Sequence, residues 1–410
     1  MGQLSLNMDT GNHLYRGDCL SVLDRIDNES VDLIYIDPPF YSQRYYETFW
    51  GEDDAERFAF EDRWKGGIQT YLSHLVDRVR KMHSKLKQGG SFYLHLDWHI
   101  CHYMKVELDK LFGYSAFQNE VVWSYRRWPS PSSHYQRMHD TILFYSKGPK
   151  PKTFHVEYEP NSESYEKRFG GKTQMLDPKT KTRKITLEAN SRGLPRRDVW
   201  EMSIIAGSAK ERIGYPTQKP IALLERIVRS SSDRGDLVLD AYCGCGTTLE
   251  AAQRLGRRWL GIDISQQALR VVQNRLRKIG TPPTEVHGMV ENERHLHELD
   301  WQEFQMWAVD AVQGRHSPRK VADMGIDGFT FMENHPIQVK QVTAVGRPVV
   351  DNFVGVLERQ KDKRGLIIAF NFTKGAEAEV ARLKREQNID IELITCKRLI
   401  KEEIPYRKLA

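Results

Sequence analysis

The stretch LVLDAYCGCGTTLEAAQRLGRRWLGIDIS (237–265) decides the fold. An apolar run of strand length, LVLDAYCG (237–244), stops at a glycine, a helical run TTLEAAQRLG follows, and a second apolar run, RWLGIDIS (258–265), comes directly behind it. Strand, helix and strand at this spacing indicate a βαβ unit of a parallel sheet. Gly244 and Gly246 sit at the strand-to-helix turn, with Thr247 behind them. There glycine permits positive φ and lets the backbone approach a ligand, and the amides of a helix N-terminus point the same way. Asp240 closes the first strand, and Asp263, 23 residues later, closes the second, where an acid accepts hydrogen bonds from ribose hydroxyls. A nucleoside cofactor fits this arrangement. A P-loop does not, because the turn carries no lysine of the GKS or GKT kind, and a dinucleotide does not, because the third glycine is absent. A plain tight turn needs the same glycines, so the turn by itself leaves both readings open.

The same rhythm runs upstream. VDLIYID (31–37), TYLSHLVDRVRKMHSKL (70–86), SFYLHLD (91–97) and HYMKVELDKLF (102–112) alternate strand-length apolar runs with helical ones, and QKPIALLERIVRSSS (218–232) is a helix leading into the quoted stretch. These elements predict an α/β fold with a Rossmann-like sheet, in a domain spanning residues 1–290. Residues 125–215 break the rhythm: rich in Pro, Ser, Lys and Arg, with few long apolar runs, they read as a long irregular insertion. GTPPTEVHG (280–288) is a linker or a final hairpin. Residues 295–410 then run helix, strands, helix, strand, helix, strand, a separate smaller α/β domain with no repeat relating it to the first.

With 410 residues, 40% hydrophobic and 28% charged, the composition is that of a globular protein of two or three domains, which excludes collagen, coiled coil and wholesale disorder. No apolar run approaches the roughly 18–20 residues of a membrane span, and the N-terminus has no basic start followed by an apolar stretch, so a cytoplasmic chain without a membrane partner is expected. Five scattered cysteines with no CxxC pair point to free thiols rather than a zinc site or redox dithiol. The net charge is +6, and residues 147–198 alone hold thirteen Lys and Arg against seven Asp and Glu. A surplus concentrated there is what a face meeting a polyanion carries, and also what a solvated loop carries.

IYIDPPF (34–40) carries the chemistry. Asp37 ends a buried strand, and Pro38 and Pro39 fix φ and remove two backbone donors, leaving a stiff turn of acceptors beside a carboxylate, with the ring of Phe40 next to it. An exocyclic amino group of a nucleobase, with two N–H bonds to satisfy, fits an acceptor-only pocket. Its lone pair is conjugated with the ring. Accepting its hydrogens at the Asp37 carboxylate and the Pro38 carbonyl draws the nitrogen toward tetrahedral geometry and frees the pair for attack. Phe40 then stacks on the base, which must leave the duplex to reach such a pocket.

DPPF followed by DAYCGCGTT resembles the amino-group DNA methyltransferases, and the order, catalytic turn before cofactor turn with the insertion between, resembles their permuted beta class. The resemblance covers roughly residues 10–280. It implies transfer of a methyl group from S-adenosylmethionine to the 6-amino group of adenine or the 4-amino group of cytosine in double-stranded DNA, and Asp at the first position of the tetrad is more typical of adenine. It further implies that Asp18, in RGDCLSVLDRI (16–26), sits near the cofactor adenine, and that Thr217, Gln218 and Lys219, in YPTQKP (215–220), lie near its methionine moiety. The insertion, with Arg126, Arg127, Trp128, Arg196 and Arg197, becomes the target-recognition region, where arginines read guanine edges or hold phosphates. A homodimer is compatible with this reading. The cysteine route to cytosine C5 is disfavoured, since it needs a Pro-Cys pair and no cysteine follows a proline.

In KVADMGIDGFTFMENHPIQVKQ (320–341), Asp327 follows a short turn, and alternation along the next strand turns Gln338 and Lys340 to one face. A carboxylate, a second oxygen ligand and a lysine at a sheet edge are what a magnesium-dependent phosphodiesterase needs: Asp327 and Gln338 to hold the metal, and a cation near the scissile phosphate. Glu303, on the helix DWQEFQMWAVDAV, is a further candidate. The segment resembles the PD-(D/E)xK restriction-endonuclease fold in its Mrr-like branch, with glutamine where the wider superfamily has an acid. An Asp-Gly turn before an amphipathic edge strand explains the same residues without chemistry, as an inert DNA-binding or packing unit. At this point a decayed DNA-binding protein and an RNA or protein methyltransferase remain alternatives for the whole chain.

Overall fold

The computed structural model describes residues 11–41, 45–50, 56–61, 67–128, 131, 133–170, 172–176, 180–189, 193–213, 215, 217–282, 284–288, 292–312, 314–317, 325–330 and 334–401. Its larger sheet has nine strands: β1 (His13–Arg16), β2 (Val31–Ile36), β3 (Leu86–Leu96), β4 (Phe117–Ser124), β5 (His139–Ser146), β6 (Val199–Glu201), β7 (Leu237–Asp240), β8 (Arg258–Asp263) and β9 (Val286–His287). The order across the sheet is β6-β4-β5-β3-β2-β7-β8-β1-β9. From β3 to β9 every neighbouring pair is parallel, whereas β5 runs antiparallel to both β3 and β4.

Strands buried on both faces read as continuous apolar runs rather than alternating ones. In β2, Ile34 and Ile36 pack into one core while Leu33 and Tyr35 pack into the other, and β7 divides the same way, Leu237 and Leu239 against Val238. Helices α1 (Cys19–Leu23), α2 (Gly67–Lys85) and α3 (Cys101–Phe112) cover the first core through Val22, Leu75, Val79, Met82 and Met104. Helices α4 (Ile221–Ser231), α5 (Thr247–Arg254) and α6 (Gln266–Lys278) cover the second through Leu224, Ile227, Leu249 and Val272. The result is the doubly wound α/β sandwich that the apolar rhythm predicts.

Two differences from the sequence reading stand out. The stretch 125–215 is not wholly irregular: HDTILFYS forms β5 at the heart of the sheet, and Val199–Glu201 pairs with β4 to make its edge. One eight-residue strand, joined to β4 by a polar loop, is too short to restore the alternation of strand and helix. Residues 286–287, within the segment read as a linker or hairpin, add a parallel edge strand beside β1.

The second sheet has five strands, in sequence order: β10 (Gly314–His316), β11 (Gly328–Thr330), β12 (Pro336–Lys340), β13 (Arg364–Ala369) and β14 (Asp390–Thr395). The first three are antiparallel and the last three parallel. Helix α7 (Trp301–Ala311) packs on one face with Ile337, Val339 and Ile368, and α8 (Arg347–Gln360) and α9 (Lys374–Gln387) pack on the other with Ile367 and Ala369. Among the described residues no helix is long and apolar enough to cross a membrane.

Candidate active site

Ligands of open α/β sheets bind beyond the carboxyl ends of the parallel strands. Strands β2, β7, β8 and β1 are consecutive neighbours, and each ends in or just before one of the expected residues: Asp37 after β2, Asp240 at the end of β7, Asp263 at the end of β8 and Asp18 shortly after β1. The sheet therefore brings these acids to one edge.

Asp263 organises the glycine-rich turn. Its carboxylate accepts from the Gly244 amide at 2.8 Å and from the Ser265 amide at 2.8 Å, and its carbonyl accepts from the Gly17 amide at 3.1 Å. Gly244 has φ +48° and Gly246 φ +76°, and a Cβ on Gly246 would stand 2.9 Å from a methyl of Val272 on α6. Only glycine gives this backbone without strain, so the turn stays tight and close to its helix. Thr247, buried, opens α5. Asp240 accepts from the Tyr242 amide at 3.1 Å. Burial pushes Asp240 up to about 7, with the charges of Asp37 and Asp263 adding to it against the hydrogen bonds from Thr248 and Tyr242. Burial likewise pushes Asp263 up to about 6, against its backbone hydrogen bonds. Two buried acids reluctant to ionise, beside a tight glycine turn, fit a nucleoside whose hydroxyls and amino group donate hydrogen bonds.

The turn from Asp37 to Phe40 is braced from three sides. The Tyr71 hydroxyl donates to the Pro39 carbonyl at 2.5 Å. Lys219 Nζ lies 2.5 Å from Asp37 Oδ2 and 5.0 Å from the centre of the Phe40 ring. On the Phe40 ring stacks His95, centroids 5.8 Å apart. His95 is fully buried, bonded through Nδ1 to the Tyr35 hydroxyl at 2.7 Å and through Nε2 to Asp140 at 3.3 Å, and the Tyr125 hydroxyl donates to the other Asp140 oxygen at 2.9 Å. Burial pushes the Asp140 carboxyl up, but the hydrogen bond and charge of His95, the charge of Lys219 and the Tyr125 hydroxyl outweigh it and hold the group below its ordinary value. Reading the sequence did not single out Tyr35, His95, Tyr125 or Asp140. The signal was a histidine and an aspartate within strands otherwise apolar, since a polar group is retained in a core only where it finds partners.

Other expected residues have their side chains committed. Asp18 caps α1 through the Leu20 amide at 2.7 Å and forms a buried ion pair with Arg78, so it shapes the loop after β1. Gln218 accepts from the Ile213 amide at 3.0 Å and donates to the Glu211 carbonyl at 2.7 Å, holding the loop ahead of α4. The Thr217 carbonyl lies 3.5 Å from Lys219 Nζ. Of the insertion's arginines, Arg126 is exposed, and Arg127 rests on the Tyr125 ring at 4.9 Å and donates to its hydroxyl at 3.2 Å. Arg196 pairs with Glu157 at 3.2 Å and Arg197 with Glu159 at 2.7 Å, tying the insertion together. Trp128 is 96% exposed.

In the second sheet, Asp327 Oδ2 accepts from the Val339 amide at 2.7 Å, and Gln338 Nε2 donates to the Gly325 carbonyl at 3.1 Å. Gln338 Oε1 is buried and has no hydrogen-bond partner among the described residues. An acceptor left bare in this way, with Asp327 just ahead of the paired strand, is what a hard cation would satisfy. Lys340, half-buried, follows on the same face by alternation. Glu303 is exposed and occupied otherwise: with Asp300 it forms the capping box of α7. Among the described residues no three His, Cys, Asp or Glu side chains gather as a metal site.

Residues 31–274 match the DNA methylase family, and residues 296–402 match a restriction endonuclease family. The type II methyltransferase M.HpaI of Haemophilus parainfluenzae is 28% identical over 63% of this chain and 72% of its own. The DNA adenine methyltransferase YhdJ of Escherichia coli K12 is 28% identical over 64% of this chain and 82% of its own. Among solved structures, the cytosine-N4-specific PvuII DNA methyltransferase aligns with a TM-score of 0.45 at 16% identity, covering 73% of this chain and 93% of that one. The chain belongs to the DNA methylase family, whose methyl donor is S-adenosylmethionine, and carries a restriction-endonuclease domain at its carboxyl end.

Proposed function

We propose that the chain methylates the 6-amino group of adenine in duplex DNA, flipping the base into the pocket formed by Asp37 and Phe40. The observation that carries the reading is the convergence, on one sheet edge, of the Asp37 turn with the Asp240, Asp263 and glycine-turn cradle. Phe40, stacked on buried His95, is a fixed platform for the base, and Asp37 accepts from the amine and orients its lone pair in line with the donor methyl. S-adenosylmethionine, when bound, supplies an electrophilic methyl group on its sulfonium. Gly244, Gly246 and Thr247 would border its place, and Asp240 and Asp263 would accept from its nucleoside. Asp37 then takes up or relays the proton that the amine loses, and no covalent enzyme intermediate is needed. Aspartate at the first tetrad position, together with the adenine enzyme YhdJ among the relatives, supports adenine over cytosine.

The division between residues 290 and 295 separates this unit from a second that we propose to be a magnesium-dependent DNA nuclease. Asp327 and Gln338 would hold the metal, and Lys340 would stand near the scissile phosphate. The two together form a single-chain restriction and modification enzyme of the cytosol, with exposed Arg126 and Trp128 facing DNA. Nucleoside mass spectrometry on unmethylated plasmid, after incubation with protein and S-adenosylmethionine, tests the first unit. The expected product is 6-methyladenine; 4-methylcytosine would transfer the reading to cytosine, and no methylated base at all would overturn it.

A further inference from the structure

The seat intended for the target amine is already taken. Lys219 Nζ lies 2.5 Å from Asp37 Oδ2 and 5.0 Å over the face of Phe40, so it makes to the carboxylate and the ring the two contacts that an adenine would make with its amino group and its π-face. The side chain is only 9% exposed, on the segment leading into α4, and its other polar contact is the weak one to the Thr217 carbonyl. A second carboxylate waits behind the platform: Phe40 stacks on His95, and His95 bonds Asp140, whose charge Lys219 already feels. Leaving Asp37 for open solvent would abandon a nearly buried ion pair. Moving to Asp140 would keep the lysine on a carboxylate, one that His95 and Tyr125 already hold in place, while the Asp37 carboxylate it leaves would accept from the incoming amine.

We propose that Lys219 is an internal stand-in for the target base, occupying Asp37 in the free enzyme and moving to Asp140 when the flipped base enters. This rests on the adenine reading above. Lys219 is thus a positioning residue twice over: it keeps the Asp37 carboxylate aimed while the pocket waits, and its departure admits only a group able to replace both of its contacts.

The test uses the full-length protein and a duplex carrying 2-aminopurine in place of the adenine that the wild type methylates. Its fluorescence rises when the base leaves the stack. Lys219→Met, which keeps the length and removes the cation, should raise emission several-fold over the wild type and lower the KM for DNA, with kcat reduced because Asp37 is less well aimed. Lys219→Arg should restore low emission. Asp140→Asn, which removes the second carboxylate, should lower emission and slow methylation about tenfold in the wild-type background, yet change neither further in the Lys219→Met background. Emission lowered by Lys219→Met, or effects of the two substitutions that simply multiply, would overturn the proposal. Should the wild type form 6-methyladenine in the unmodified duplex in that same experiment, the adenine reading stands whatever these variants show; should it not, that reading is what has failed. Retained binding of S-adenosylmethionine by each variant confirms that the site is still folded.

Discussion

The two sheets of this chain treat carboxylates in opposite ways. In the larger one, Asp37, Asp240 and Asp263 leave three consecutive neighbours of the sheet, and burial and mutual repulsion push Asp240 to about 7. Acids crowded so closely favour cations and hydrogen-bond donors, and the Asp37 carboxylate has a cation at hand in Lys219. In the smaller sheet Asp327 has the neutral Gln338 beside it, and one Asp327 oxygen is engaged by the Val339 amide. The first edge is built for organic groups that carry hydrogens or positive charge. The second would offer a metal few charges, so the nuclease chemistry proposed for it should depend on how much metal is supplied.

Cross-testing the two edges breaks or secures that contrast. The largest effect belongs to Asp37→Ala, expected to lower methyl transfer by about three orders of magnitude or more while S-adenosylmethionine still binds, since both orientation and proton acceptance are lost. Undiminished transfer in a filter assay with labelled donor would remove Asp37 from the mechanism. Next comes Lys340→Ala, expected to abolish magnesium-dependent nicking of plasmid and to leave methylation untouched. A wild-type preparation that never cuts DNA in any methylation state supports the inert alternative for the second sheet. Loss of methylation in Lys340→Ala would show the two edges coupled rather than separate.

Much of this was legible in the residues because parallel strands buried on both faces announce themselves as unbroken apolar runs, and ligand-binding residues sit where those runs end. Asp37, Asp240 and Asp263 stand at the ends of such runs, and the sheet brings them to one edge. What escaped was held by contacts distant in sequence. Asp18 looks like a free acid until α2 delivers Arg78 to it, and nothing local foretells that Arg196 and Arg197 pair with Glu157 and Glu159. Glu303 carried a local signal, the Asp-x-x-Glu pattern of a capping box, which weighs more than its acid charge. The His95–Asp140 pair joins strands 45 residues apart: a histidine and an aspartate in otherwise apolar strands mark the residues, but nothing local marks their bond.

A moderate effect sharpens the comparison at Gln338. Replacing it with glutamate adds a second carboxylate beside Asp327 and supplies the acceptor whose position Gln338 Oε1 now holds bare. Gln338→Glu should lower the magnesium concentration for half-maximal nicking several-fold, as a charged ligand holds a hard cation better than a neutral one. The thermal midpoint without metal should fall, because two acids then share a buried place. An unchanged magnesium requirement would separate Gln338 from the metal.

The smallest effect is a slope with pH, and it comes from the crowded edge. Asp240, raised to about 7, and Asp263, raised to about 6, hold protons in the folded cofactor-free protein that the unfolded chain has released above its ordinary carboxylate range. The folded state binds more protons in that window, so this contribution to stability is present in full at low pH and is lost as pH rises through 6 and 7. Calorimetry of the cofactor-free protein should therefore show a midpoint falling by about 2–5 °C from pH 5 to pH 8, and Asp240→Asn, which cannot ionise, should flatten most of the fall. S-adenosylmethionine should work in the opposite direction: with its hydroxyls and amino group donating to the ionised acids, as proposed, the midpoint it adds should be larger at pH 8 than at pH 5. A cofactor shift independent of pH would mean that neither acid meets the nucleoside, and the crowding at that edge would then be a cost of the fold and not a property of the site.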